Sequence, residues 1–320
     1  MENLMSQPVL SLCIPIYNRQ DFLDKMLVRF LEDQDLFETK ISLYISDNCS
    51  QDDLGACCQK YLQKGLRMEY HRNEVNIGPD SNFEQCFRHA TGKYVWLLGS
   101  DDIPVRGFLR RLIGYLESAD DYGLVHLGMQ KKDKEFTCYE TSDDMAVAVN
   151  YWITFMSANI IRTASLKSID LSDYHHSNMI QVPAYLNACC SCQKNAVVYL
   201  PQFFEEGSDA ANNGGYNIYQ VFVTNLYGIF ETFVRKGLLS KQAFNKIIRI
   251  EFQQFLSGFI VDQLILRKKS NFNTDGGWKK LCMYYAFKPY AYYHLFMTTI
   301  RRGIISILRP VLKRLHDIFW

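Results

Sequence analysis

Two short polar turns hold carboxylates where they could meet a ligand. One reads Ser46-Asp47-Asn48-Cys49-Ser50-Gln51-Asp52-Asp53 and the other Gly99-Ser100-Asp101-Asp102, and each follows an apolar run directly. Acidic groups brought to one edge repel unless a cation or hydrogen-bond donors on a ligand face them. The plainer reading of any one of these aspartates is helix capping, since a short carboxylate before a helix accepts its free N–H groups. A third polar run, Asp170-Leu171-Ser172-Asp173-Tyr174-His175-His176-Ser177, offers groups that could move a proton, and there the plainer reading is a solvated turn. The turn after the first apolar run, Pro15-Ile16-Tyr17-Asn18-Arg19, contains no glycine. That counts against the GxGxxG fingerprint of nicotinamide and flavin enzymes and the GxxxxGK[ST] loop of P-loop NTPases. Cys189 and Cys192 form a CxxC with no second pair, read as thiols on a buried helix rather than half of a zinc site.

The elements around these turns give them a common address. Residues 9–16 are a near-continuous apolar strand, residues 21–31 have helical spacing in Phe22, Met26, Leu27 and Phe30, and residues 41–45 form a second strand. A helix near 52–62, a short strand at 66–70, a helix opened by Pro79, a strong strand at 94–98, a helix at 108–116 and a strand at 123–127 continue the rhythm. Repeated strand and helix of this length predicts parallel strands with right-handed crossovers, hence an α/β sheet covered on both faces. Ligands of such sheets bind at the carboxyl ends of the strands, which is where the acidic turns fall. After Gln130 the alternation stops. A polar stretch leads to a strand expected at 155–161 and a helix starting near Ser177 and capped by it. From Tyr216 the chain reads as helical, with Leu226, Ile229, Phe230, Phe233, Phe244, Ile247, Ile248, Phe252, Phe255 and Phe259 at core-facing spacing, then a linker at 268–277.

At 320 residues the chain is one large domain or one domain with an appendage, and 48 % hydrophobic against 22 % charged residues is a globular composition. A formal net charge of +1 gives no global field to draw in a nucleic acid. No N-terminal signal and no apolar stretch of bilayer length is visible, so a cytoplasmic protein is expected, its ten scattered cysteines reduced.

In order along the chain, LSLCIPIYNR, ISDNCSQDD, Asn76-Ile77-Gly78 followed by Asn82, and ATGKYVWLLGSDD (90–102) resemble the family 2 glycosyltransferases with the glycosyltransferase A fold. Within them the chain is most similar to the bacterial branch of abequosyltransferase-like enzymes of surface-polysaccharide assembly. The resemblance covers about the first third of the chain; beyond Gln130 only WITFMSANIIR (152–162) is similar to the strand that lines the acceptor side. It implies a mostly parallel sheet flanked by helices, with a helical C-terminal extension. It also implies a donor-binding half over 1–130, an acceptor-side half over 131–215, a helical region over 216–268 and a tail over 269–320.

The resemblance assigns roles residue by residue. Pro15, Tyr17 and Asn18 would form the loop beside the nucleotide, and Arg19 would neutralise phosphate. Asp47 would accept from the nucleobase imide, and Asn76 and Gly78 would shape the loop near the ribose or sugar. Asp101 and Asp102 match the tail of the family's metal motif, whose carboxylates hold Mg²⁺ or Mn²⁺ against the donor diphosphate. Where many relatives place the first Asp of that motif this chain has Gly99, and Ser100 follows where close relatives often carry another. Coordination then rests on Asp102 with waters or on Asp101 and Asp102 together. An inverting displacement needs one general base, for which Asp173 is the first candidate, His176 the second and the Glu205-Glu206 pair the third.

The tail has a signature of its own. Between Asp275 and Asp317 there is no acidic residue, while Lys279, Lys280, Lys288, Arg301, Arg302, Arg309, Lys313 and Arg314 are basic. Ile300, Ile304, Ile307, Val311, Leu315 and Ile318 share one helical face with Arg302, Arg309 and Lys313 opposite, Pro310 suggests a kink, and Tyr284, Tyr285, Tyr290, Tyr292, Tyr293 and Trp320 add interfacial rings. This predicts a peripheral contact with the inner membrane face, suited to a lipid-linked acceptor; the plainer reading is a helix packed on the catalytic unit. The functional expectation is transfer of one sugar from a nucleotide sugar to a glycan hydroxyl. A nucleotidyltransferase is disfavoured by the missing Gly-rich basic loop. A non-catalytic nucleotide-sugar-binding or scaffold protein stands as the alternative because of Gly99.

Overall fold

A computed structural model describes residues 7–117, 121–128, 134–205, 215–269 and 271–319; the side chains of 264, 265 and 305–319 are not described. Strand β1 (Leu10–Ile16) leads into α1 (Gln20–Leu31), the short α2 (Gln34–Thr39) and β2 (Ile41–Asp47). Then come α3 (Leu54–Leu62), β3 (Glu69–Arg72), α4 (Pro79–His89), β4 (Tyr94–Leu97), α5 (Phe108–Leu116) and β5 (Tyr122–Leu127). Helix α4 starts with Pro79 in its first turn, where a missing N–H does no harm. Beyond it lie β6 (Phe136–Tyr139), α6 (Ser142–Val149), β7 (Asn159–Arg162), α7 (Gln181–Ser191) and β8 (Lys194–Val198). Helices α8 (Leu226–Arg235), α9 (Lys241–Glu251), α10 (Ser257–Ile260), α11 (Gly277–Tyr285) and α12 (Pro289–Phe319) form the C-terminal region, in which Gln220–Asn225, Phe252–Leu256 and Val261–Ile265 are π-helical.

The described strands make one sheet in the order β3-β2-β1-β4-β7-β5-β8-β6. Pairs β3–β2, β2–β1, β1–β4 and β5–β8 are parallel, whereas β7 runs antiparallel to both β4 and β5, and β6 antiparallel to β8. Both faces are covered, as the near-continuous apolar strands require. Leu12, Ile14, Ile45, Trp96 and Ile160 face a core shared with α1, α3 and α5; Cys13, Tyr44, Val95, Leu97 and Ile161 face the one shared with α4, α7 and α8.

The structure departs from the sequence reading in four places. The strand expected at 155–161 is only Asn159–Arg162, because Asn150–Thr154 and Met156–Ala158 wind into 3-10 turns. Asn159 Nδ2 holds those turns by donating to the carbonyls of Ile153 (3.1 Å) and Phe155 (2.8 Å). Helix α7 begins at Gln181, not near Ser177, whose hydroxyl instead accepts from Met179 N. The stretch expected as a linker is stitched down: Asn273 N donates to Tyr216 O, Ile218 N to Asn273 O and Gly215 N to Asn271 O.

The tail, the fourth departure, is two-sided. Leu281 and Tyr285 of α11 are buried, and Tyr285 Oη donates to Ile248 O at 3.0 Å and is bonded to Tyr227 Oη. From α12, His294 meets Gln253 at 2.7 Å, Tyr290 lies under Arg249, and Arg302, expected on a free polar face, is paired with Asp262. The other side of the two helices and the turn between them exposes Trp278, Met283, Phe287, Tyr292, Tyr293, Phe296, Met297, Ile300 and Ile304. Helix α12 is continuous through Pro310, and the side chains of Ile307, Arg309, Val311, Lys313, Arg314, Leu315, Ile318 and Trp320 lie outside the described residues. No helix among the described residues is long and apolar enough to cross a membrane.

Candidate active site

Strands β1, β2, β3 and β4 run parallel, so the loops that follow them gather along one edge of the sheet. Pro15, the penultimate residue of β1, is buried, and Tyr17, just after the strand, is exposed. Asn18 takes a left-handed φ of 52°, a conformation its short amide tolerates better than most side chains. Its N–H donates to Ser50 Oγ (2.9 Å) and its Oδ1 accepts from Gln51 N (2.7 Å), which clips the first loop to the second. Gln20 N donates to Asp52 Oδ2, and Asp53 caps α3 through Ala56 N, so two of the acidic residues in this turn do the plain capping work.

Asp47 is fully buried. Its Oδ1 accepts from Ser50 N at 2.8 Å, its Oδ2 accepts from Tyr70 Oη at 2.7 Å, and Arg72 Nε lies 3.4 Å away. Burial and the hydrogen bond to Asp47 push the Tyr70 phenol well above its ordinary range, so it stays a donor. Asn48, which sequence reasoning passed over, ties the third loop to the second. Its Nδ2 donates to Asn76 Oδ1 (2.9 Å) and Gly78 O (3.3 Å), and its Oδ1 accepts from Ile77 N (2.9 Å). Gly78 sits at φ 81°, ψ 164°, a region open in practice to glycine alone, and a Cβ there would meet nothing within 4 Å; the requirement is conformational, not one of close approach.

The acidic turn after β4 completes the edge. Arg19 Nη1 reaches Asp101 Oδ2 at 2.9 Å, a half-exposed ion pair joining the first loop to the fourth. Asp102 is turned inward: Ser157 Oγ donates to its Oδ2, and the same Ser157 oxygen accepts from Gly99 N at 2.8 Å. A Cβ on residue 99 would lie 2.6 Å from Asp102 Oδ2, so glycine is what leaves room for this carboxylate. Burial first, then the neighbouring Asp101, raises the Asp102 carboxyl to about 6, opposed by the Ser157 hydrogen bond and Arg19. No group of three or more His, Cys, Asp or Glu that could hold a metal occurs among the described residues. An Asp101–Asp102 pair does not make an all-protein cage. It does fit a hard divalent ion that arrives with a diphosphate and keeps waters, since such ions take one or two carboxylates plus substrate oxygens.

The third polar run borders α4. Asp80, buried on α4, accepts from Asn178 N (2.9 Å) and Ile180 N (3.4 Å) and so caps α7 from another helix. His175 Nε2 meets Glu84 Oε2 at 2.6 Å and its Nδ1 lies 3.4 Å from Ser81 Oγ, fixing the loop. Asp173, in the 3-10 turn Ser172–Tyr174, and His176, at φ 65°, flank that anchor, exposed and without a side-chain hydrogen bond among the described residues. The third base candidate is committed elsewhere: Glu205 pairs with Arg29, and Glu206 lies outside the described residues.

Polar loops along the carboxyl edge of a mostly parallel sheet, with a helical C-terminal region, define a fold of the glycosyltransferase A type. Among solved structures the chain is similar to *Staphylococcus aureus* TarS 1–349 in complex with UDP-GlcNAc, with a TM-score of 0.61 and 16 % identity over 92 % of each chain. It is also similar to the *Pyrobaculum calidifontis* mannosyltransferase PcManGT in complex with GDP-Man and Mn²⁺, with a TM-score of 0.54 and 13 % identity, covering 94 % of this chain and 87 % of that one. The chain belongs to glycosyl transferase family 2, which matches residues 11–183. Curated relatives include the abequosyltransferase RfbV of *Salmonella typhimurium*, 37 % identical over 35 % of this chain and 34 % of that protein. Another is the GalNAc(5)-diNAcBac-PP-undecaprenol beta-1,3-glucosyltransferase of *Campylobacter jejuni*, 31 % identical over 33 % and 34 %. The chain thus spans about a third of the length of these curated relatives.

Proposed function

We propose that the chain is a metal-dependent, inverting hexosyltransferase that moves a sugar from a nucleoside-diphosphate sugar to a hydroxyl of a lipid-linked surface-glycan intermediate. The observation that carries this reading is the meeting of Arg19, Asp101 and Asp102 at the carboxyl edge of the sheet, beside the Asn48–Asn76–Gly78 loop. A departing diphosphate gathers negative charge, and Arg19, free to leave Asp101 for a phosphate, offsets part of it. Asp101 and Asp102 would hold Mg²⁺ or Mn²⁺ against the diphosphate, where the ion supplies Lewis-acid stabilisation of the leaving group. Pro15, Tyr17 and Asn18 border the base, and Asp47, fully buried with its oxygens taken by Ser50 N and Tyr70, orders that loop from beneath rather than accepting from the nucleobase as expected from the sequence. Asn76 and Gly78 border the ribose or sugar.

The acceptor hydroxyl attacks the anomeric carbon in line with the leaving diphosphate and loses its proton to a general base. Asp173 takes this role, with His176 second, because His175 fixes their loop while leaving both side chains free. The exposed apolar side of α11 and α12, beside Lys279, Lys280, Lys288 and Arg301, supports work at the inner membrane face, where a lipid-linked acceptor lies. Incubation with a panel of nucleotide sugars and Mn²⁺ tests the reading. Transfer or donor hydrolysis is expected; binding without turnover favours the scaffold alternative, and neither binding nor turnover refutes both.

A further inference from the structure

We propose that Ser157 is a positioning residue of the diphosphate-metal site, holding Asp102 in one orientation in a space that Gly99 leaves open. This rests on the reading of Asp101 and Asp102 as the metal-binding turn. A serine hydroxyl has one proton. Here the oxygen already accepts from Gly99 N at 2.8 Å, and the proton is directed at Asp102 Oδ2. Ser157 itself is fully buried, and the backbone around it is pinned. Trp96 Nε1 donates to its carbonyl at 2.8 Å, Tyr185 Oη donates to the carbonyl of Met156, and Ala158 N closes a turn on Phe155 O. The hydroxyl is therefore a fixed point set from the acceptor-side segment, 55 positions along the chain from the carboxylate that it holds.

Gly99 is the second half of the device. Its backbone is not left-handed, so alanine would strain nothing there except through its Cβ. That Cβ would stand 2.6 Å from Asp102 Oδ2, 3.2 Å from Ser157 Oγ and 3.3 Å from Asp101 Oδ1, within the three groups that the device aligns. A flexible carboxylate must be ordered when it takes up an ion; one already held in a single rotamer is preorganised, and binding is tighter for it.

The test measures how tightly the protein takes up Mn²⁺ as its pyrophosphate complex, by the enhancement of water proton relaxation when that complex is held on the slowly tumbling protein, alongside the thermal midpoint. Ser157→Ala is expected to weaken Mn²⁺ binding about tenfold, the scale of one hydrogen bond to a charged group. Gly99→Ala, which keeps both partners but displaces the carboxylate, is expected to act in the same direction. Ser11→Ala is the control: that buried hydroxyl of β1 accepts from Thr91 N and Gly92 N at the far end of the strand, so its loss lowers the thermal midpoint without changing Mn²⁺ affinity. Wild-type Mn²⁺ affinity in Ser157→Ala overturns the proposal. If Ser157→Ala does not fold, wild-type affinity in Gly99→Ala overturns it instead. Wild-type protein that binds no Mn²⁺ with pyrophosphate overturns the metal reading itself, and the proposal with it.

Discussion

Ending the chain after Gly276 would remove the whole aromatic tail, and a tail that only lies on a membrane should be dispensable for folding. The structure predicts the opposite. The cut takes Leu281 and Tyr285 out of the core, and burying each such side chain is worth about 1.5–3 kcal/mol. It also leaves the buried Tyr227 hydroxyl without Tyr285, a further loss of about 1–3 kcal/mol. Together these approach roughly 4–9 kcal/mol, much of the 5–15 kcal/mol typical of a folded domain. A cut after Gly303 keeps Leu281, Tyr285 and the Arg302–Asp262 pair. Thermal unfolding of the two shortened chains and the full one decides the matter. The shorter protein should lose about ten degrees or more or aggregate, while the longer one stays near the full chain. A chain ending at Gly276 that unfolds with the full protein's midpoint would refute the two-sided tail.

Four further outcomes are expected. Asp102→Asn should lower kcat/KM by about 10²–10³-fold while the fold survives, and unchanged turnover or full activity in excess chelator would sink the metal assignment. Asp47→Ala should weaken donor binding and lower the thermal midpoint together, because Tyr70 and Ser50 N lose their acceptor, whereas Asp173→Ala should spare nucleotide affinity and cut transfer by roughly 10²–10⁴-fold; calorimetry with steady-state kinetics separates the two. His126 is buried, its Nδ1–H donating to Asn159 Oδ1, and burial lowers its pKa from 6.5 to about 4 despite that bond. The unfolded chain therefore binds a proton that the native state refuses, so about 3 kcal/mol of stability should be lost as pH falls from 6.5 to 4, and denaturant titrations of His126→Gln should show a shallower acid slope. Sedimentation with anionic vesicles should fall as salt rises and fall again in Phe287→Ser/Phe296→Ser; full-length protein that ignores such vesicles at low salt would end the membrane reading.

The sheet edge that carries the proposed donor site was legible because its signals are local. Continuous apolar strands and polar turns directly after parallel strands place Arg19, Asp47, Asp101 and Asp102 near one edge with no knowledge of tertiary contacts, and the family resemblance adds Asn76 and Gly78. What stayed hidden depends on partners far apart in sequence. Ser157 has no motif that marks it for Asp102, and Asp80 gives no sign that it caps a helix about a hundred residues later. The tail misled for a different reason. Apolar residues recur on both sides of α12, so the periodicity reads the same whether a side meets the protein or a bilayer, and only packing tells Ala291 and Leu295 from Tyr292 and Phe296.

The place of β7 in the sheet also governs how the chain can be made. Strand β4 is flanked by β1 on one side, and its other edge waits for residues 159–162, which leave the ribosome more than sixty positions after β4 itself. Until then the nascent chain carries a fully apolar strand with one row of unpaired N–H and C=O groups, the kind of edge that recruits other strands. In that interval the acidic turn after β4 is supported from the β1 side alone, because neither β7 nor the Ser157 hydroxyl that meets Asp102 is yet in place. Completion of the edge that carries Arg19, Asp101 and Asp102 is thus timed by synthesis of residues 157–162, and the two segments fold as one cooperative unit.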